Sequence, residues 1–135
     1  QMREQIFDPV RKKRVALTPE ESVRQQLIRF LNEKAGVPFH LMSCEYSFEI
    51  NRLKYRADVV IFGRDAKPIV IIECKAPEVK ISKSVFEQIF RYNEKLQVPY
   101  LLLSNGTSTY FGSYNHSKDE YEYLSEIPHY NELSK

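Results

Sequence analysis

Charges interrupt two apolar runs in RADVVIFGRDAKPIVIIECKAP, residues 56–77: Asp58 stands near the start of the first run, Glu73 and Lys75 at the end of the second. An ionised side chain in an apolar strand is costly unless it is paired or binds a metal, so the three need a chemical reason. Residues two apart on a strand face the same way, which puts Glu73 and Lys75 together and turns Ile72 and Cys74 to the other side. If the polar turn GRDAKP pairs the two runs as a hairpin, Asp58 lies near the level of Glu73 and Lys75. Two carboxylates and one ammonium then converge at one end of a sheet. Paired carboxylates suit a hard cation such as Mg2+ or Mn2+, and a neighbouring lysine can hold or activate water or stabilise charge on a phosphate. The set suits phosphodiester hydrolysis. A same-face Glu73–Lys75 ion pair at a strand end, with Asp58 solvated at an edge, explains the triplet equally well, because short motifs match by chance.

The elements that must position these residues are legible from periodicity. In LTPEESVRQQLIRFL, Thr18 is a natural N-cap, Pro19 suits the first helical position and Glu21 completes a capping box. Val23, Leu27, Phe30 and Leu31 share one helical face, and Gly36 stops the helix. LMSCEYSFEI, residues 41–50, alternates with Cys44, Tyr46, Phe48 and Ile50 on one side and Glu45, Ser47 and Glu49 on the other. KYRADVVIF and IVIIECKA follow as strands, making an antiparallel meander. SKSVFEQIFRYNEKLQ then gives a second helix, with Val85, Phe86, Ile89, Asn93 and Leu96 on one side. PYLLLSNG and STYFGSY form a last strand pair joined at Asn105-Gly106. The predicted fold is α/β, a mixed sheet flanked by helices, because the second helix carries the chain back beside an earlier strand. One domain is expected over residues 1–135, with a basic N-terminal arm at 1–17, a core at 18–106 and terminal strands and a tail at 107–135.

Composition narrows the function classes. The chain has 135 residues, 42% of them hydrophobic, and 20 basic against 18 acidic residues give a formal charge of +2. That is ample for one core and too balanced to announce nucleic-acid binding by bulk charge. The basic run Arg11–Arg14 can touch phosphates or be plain solvated surface. Cys44 and Cys74 have neither metal-type nor disulfide-framework spacing, so both are expected as small core residues in a reducing compartment. The polar, charged start and the absence of an apolar run of ~18 residues point to a cytoplasmic domain that does not enter a membrane. His40, His116 and His129 stand in no metal or triad spacing and read as loop histidines. Aromatic residues from Tyr110 to Tyr123 offer either a base-stacking platform or core cover.

Asp58, fourteen residues, then Glu73-Cys74-Lys75 after an apolar strand resembles the PD-(D/E)XK nuclease signature, with Ala57 where that family has its proline. TPEESVRQQLIRFL is similar to the first helix of the N-terminal endonuclease domain of type I restriction enzyme R subunits. Gln88 to Tyr92, QIFRY, resembles the Q-x-x-x-Y motif of RecB-type nucleases and those R subunits. The likeness runs from about Thr18 to Gly106. It implies a restriction-endonuclease-like sheet, an Mg2+- or Mn2+-dependent cut in DNA, and Asp58, Glu73, Lys75, Gln88 and Tyr92 as site residues. It also implies an acid on the first helix among the metal ligands. Glu21 matches that place best, against its own capping role, with Glu20 nearer the centre of the apolar face. Partners implied are DNA and other subunits or a helicase domain of a restriction-modification complex.

Three functions fit these residues. A metal-dependent endonuclease needs Asp58, Glu73 and Lys75 at one site. A catalytically silent nucleic-acid-binding or assembly module would keep the fold without the ion. An enzyme of another class is disfavoured, since no nucleotide loop, Ser-His pair or cofactor fingerprint is present.

Overall fold

In the computed structural model, which describes residues 4–50, 52–93 and 96–135, helix α1 (Pro19–Ala35) begins as its sequence dictates. The Thr18 hydroxyl accepts from the Glu21 N–H at 3.1 Å, and Pro19 occupies the first turn. Val23, Leu27, Ile28, Leu31 and Ala35 form the buried stripe. Phe30, expected on that stripe, is instead about half exposed. It lines an open groove of about 580 Å³ between α1, residues 104–111 and residues 124–127. Gly36 ends the helix in the left-handed region at φ 68°, and the His129 ring lies so close that a Cβ there would meet its Nε2 at 2.3 Å. After a short 3-10 turn the chain enters a six-stranded sheet.

That sheet runs β3 (Met42–Ile50), β4 (Leu53–Phe62), β5 (Pro68–Cys74), β6 (Tyr100–Ser104), β7 (Thr109–Asn115) and β8 (Glu120–Leu124), in that spatial order. Helix α2 (Lys83–Asn93) carries the chain from β5 to β6, which therefore pair in parallel, while the other neighbours are antiparallel. The predicted mixed sheet with flanking helices is the fold observed. On one face α1 covers Val59, Ile61, Val70, Ile72, Cys74 and Leu102. On the other, Phe86 of α2 packs with Val60, Ile71, Leu101 and Leu103. Among the described residues no helix is long and apolar enough to cross a membrane.

The alternation expected for residues 41–50 breaks in the middle. Met42 and Cys44 pack with the α1 core, Tyr46 and Phe48 with the α2 core. Facing them, Val59 and Ile61 belong to the first core, Tyr55 and Ala57 to the second. Both strands switch faces at one level, where Glu45 takes a left-handed φ of 53° opposite Asp58. Period-two reasoning assumes an unbroken pleat, and a local kink of this kind resets it.

Residues 5–16 are a hairpin rather than an arm: β1 (Gln5–Asp8) pairs with β2 (Lys13–Ala16), and Arg11 at its turn joins the carboxylates of Asp8 and Glu21. The end of the chain is packed too. Tyr130 and Leu133 of α3 (Tyr130–Leu133) are buried, and the Tyr130 hydroxyl donates to the Phe62 carbonyl at 2.8 Å. The arm expected at 1–17 and the tail expected after the terminal strands are therefore packed elements, which short segments with few apolar residues do not announce by periodicity. Gly36→Ala is expected to destabilise the protein by about 1–3 kcal/mol, since Cβ is strained at this φ and must displace His129. Thermal unfolding checks this, and an unchanged melting temperature would show that the α1–His129 contact relaxes freely.

Candidate active site

The site forms where β4 leaves both of its neighbours. The β3–β4 ladder omits the Glu45–Asp58 pair, and the β4–β5 ladder starts only at Val59–Ile72, so Asp58 lies in neither. Its backbone groups still need partners. The Asp58 carbonyl accepts from Arg24 Nη1 at 3.0 Å, and its carboxylate Oδ2 accepts from the Cys74 N–H at 2.7 Å. One side chain thus replaces a missing rung of the sheet. Beyond β5, the Lys75 N–H donates to the Ser104 carbonyl at 2.8 Å and keeps the chain extended alongside β6.

Extending the β4–β5 register by one position sets Glu73 opposite Asp58, and the electrostatics agree. Burial, then the neighbouring Asp58 carboxylate, pushes the Glu73 carboxyl up to about 8; Lys75 opposes this and Glu20 adds to it. Asp58, Lys75 and Glu20 therefore all act on Glu73. Asp58, Glu73 and Lys75 are all half-buried, as a site between core and solvent requires. Glu73 also borders a cleft of about 90 Å³ with Lys54, Tyr55, Arg56 and Ala57.

Glu21, favoured from sequence as the helix acid, has its oxygens taken by other partners. It is buried and accepts from Arg11 Nη2 at 2.6 Å, from Arg24 Nε and Nη2 at 3.1 Å each, and from Gln25 Nε2 at 3.1 Å. Burial pushes its carboxyl upward, but the bonds from Arg11 and Gln25 and the two guanidinium charges outweigh that and hold it below the usual range. With its oxygens so occupied, Glu21 is a structural anion, and the helix acid that reaches Glu73 electrostatically is the exposed Glu20. The capping-box position marks Glu21 in the sequence, whereas Arg11, ten residues earlier, carries no local signal of this contact. Arg24 did leave one: a charge on the apolar stripe between Val23 and Leu27. Gln88 is exposed on α2, and among the described residues no hydrogen bond joins it to Asp58, Glu73 or Lys75. The Tyr92 side chain lies outside the described residues.

No three His, Cys, Asp or Glu side chains among the described residues already stand in metal-ligating geometry. The donor chemistry nonetheless fits a hard divalent cation: burial and a second carboxylate together raise the Glu73 carboxyl, and magnesium usually needs only one or two protein carboxylates.

A mixed sheet flanked by helices, with an acid pair and a lysine where a central strand splays, defines the class of domain. Residues 19–128 match the family model of the type I restriction enzyme R protein N terminus, and the chain belongs to that family. Among solved structures it is similar to a fragment assigned to the HsdR subunit of a type I restriction enzyme from Vibrio vulnificus YJ016, at 21% identity and a TM-score of 0.58. That match covers 87% of this chain and 24% of the other, so the chain spans about a quarter of its structural relative. No curated protein matches it.

Two stability measurements test these assignments. Because the Glu73 carboxyl titrates higher in the folded protein than its ordinary 4.5, its stabilising contribution is complete below about pH 4.5 and is lost as pH rises through about 8. In chelator, Glu73→Gln should abolish this fall and be more stable than the parent at pH 8.5 by roughly 1–3 kcal/mol, with no gain at pH 4.5; parallel urea-unfolding curves for the two proteins would refute the coupling. Glu21→Ala takes the carboxylate from the buried Arg24 and from Arg11, which keeps Asp8, and should cost about 3–5 kcal/mol, whereas Glu20→Ala should stay within about 0.5 kcal/mol of the parent. Denaturant midpoints of the two variants decide between the roles given to these neighbours.

Proposed function

We propose that this chain is a metal-dependent DNA endonuclease domain of the PD-(D/E)XK kind, acting within a type I restriction enzyme R subunit. The observation that carries the proposal is that Glu73 lies opposite Asp58 at the break in the sheet, where burial and then the Asp58 carboxylate lift its carboxyl to about 8 beside a lysine. Such a perturbed acid pair in a partly open site is what a cation-binding centre maintains at a cost in stability. Asp58 and Glu73 would hold Mg2+ or Mn2+, with an acid of α1 completing the set; the electrostatic reach favours Glu20 over Glu21. When bound, the ion supplies Lewis-acid stabilisation of the phosphate and an activated water.

The chain's own residues supply the rest. Lys75, on the same face as Glu73, donates to the attacking water or the scissile phosphate. Lys54 and Arg56, lining the cleft beside Glu73, offer positive charge to a neighbouring backbone phosphate. Gln88 and Tyr92 share one stripe of α2, four residues apart, and belong in this proposal as substrate-side residues. The partners that follow are DNA, the remaining subunits and a helicase domain, and the location is the cytoplasm. A catalytically silent binding or assembly module is the second reading. It is favoured by the lack, among the described residues, of three ligands already gathered.

Calorimetric Mn2+ titration and plasmid cleavage separate the two. The parent is expected to bind Mn2+ and cut. Asp58→Asn keeps an oxygen for the Cys74 N–H while removing the charge, so it and Glu73→Gln should remain folded and lose both activities. Lys75→Arg should retain Mn2+ and lose about 100-fold in rate, because a positioned donor is misplaced by the planar fork. Equal rates for Lys75→Arg and the parent would take Lys75 out of the mechanism. A parent that binds no divalent ion would favour the silent module.

A further inference from the structure

We propose that Arg24 is a positioning residue for the metal site: its guanidinium sets the backbone of Asp58, and through it the direction of the Asp58 carboxylate. The inference rests on the endonuclease reading above. Arg24 is almost wholly buried, yet its donors are divided rather than spent on one partner. Nε and Nη2 make a two-pronged contact with Glu21, each at 3.1 Å, and Nη1 donates to the Asp58 carbonyl at 3.0 Å. Nη2 also lies 3.7 Å from Glu45 Oε1, the residue whose left-handed backbone faces Asp58 across the break.

Attachment of α1 to the sheet does not need this bond, since Val23, Leu27, Ile28 and Leu31 already anchor the helix on Val59, Ile61 and Ile72. What does need it is the one residue of β4 in this region that neither ladder holds. A residue released from both ladders can shift its backbone, and its carboxylate moves with its Cα. With the carbonyl fixed by Arg24 and Oδ2 fixed by the Cys74 N–H, Asp58 is held at both ends beside Glu73. Glu21 in turn fixes Arg24, and Arg11 fixes Glu21, so the hairpin β1–β2 is tied to the site through two arginines. A planar guanidinium serves two acceptors in set directions, whereas an ammonium is a single point and cannot reproduce the fork.

The test is the full 135-residue chain carrying Arg24→Lys, compared with the parent in calorimetric Mn2+ titration and in plasmid cleavage across Mn2+ concentration. Outer partners of metal ligands typically change affinity ~10–100-fold, so Arg24→Lys should fold, bind Mn2+ at least ~10-fold more weakly, and recover most of its cleavage rate at saturating Mn2+. A merely structural role would lower the melting temperature without moving the Mn2+ affinity of the folded protein. Arg24→Gln, which keeps an amide donor but no charge, gives the second measurement should Arg24→Lys not fold. If the folded variant binds Mn2+ as tightly as an active parent, or if neither variant folds, the positioning role is overturned while the endonuclease reading stands. A parent that takes up no Mn2+ overturns both.

Discussion

Asp58 is held from two directions, and the arrangement of the sheet around it follows from that constraint. Six strands could pair without interruption only if β3, β4 and β5 shared one continuous pleat. They do not. At Asp58 the middle strand loses both neighbours, and a buried polar backbone tolerates this only if other groups replace the lost bonds. Arg24 from the helix side and the carboxylate of Asp58 itself provide those replacements. The same level marks the point where β3 and β4 exchange faces, so that Cys44 and Val59 serve one core while Tyr46 and Ala57 serve the other.

The acids near this break have opposite fates for simple electrostatic reasons. Glu21 and Asp8 are buried among guanidinium groups, and each ends below its usual titration range despite burial. Glu73 is buried against another carboxylate and ends well above it. Charge balance on the α1 side therefore contributes to holding the domain together, while imbalance on the Glu73 side leaves a demand for positive charge. Lys75 meets that demand in part. A divalent ion would meet it more fully, and its binding would release the proton that Glu73 retains near neutrality.

The chain belongs to the R-protein N-terminal family and shares its fold with the HsdR fragment. In that fold the end of β5 is held from both sides. The parallel β5–β6 pair, joined by α2, fixes the end of β5 from one side, and the antiparallel β4 fixes it from the other. Asp58 and Glu73 thus sit on central strands, with Lys75 directly after one, where small displacements are resisted by packing on both faces.

Local chemistry alone determined much of this. Thr18 and Pro19 started a helix because capping is settled within one turn, and the spacing of Asp58 from Glu73 and Lys75 implied a hairpin that brings them level because strand geometry has a fixed rise. Elements with strong periodicity, α1 and the strands from β4 to β6, were likewise legible. What the tertiary structure decided were matters of competition between distant groups. Glu20 and Glu21 are adjacent and of one residue type, and only the arrival of Arg11 from a hairpin, with Arg24 alongside, makes one a structural anion and leaves the other exposed, its charge acting on Glu73. The face switch at Glu45 depends on a kink that the alternation of residue types does not encode, and Phe30 follows a helical stripe whose covering is absent at that point. Periodicity reports which residues can be buried; which partners reach them is set by the rest of the chain, because long-range charge and packing are resolved only when all elements are in place.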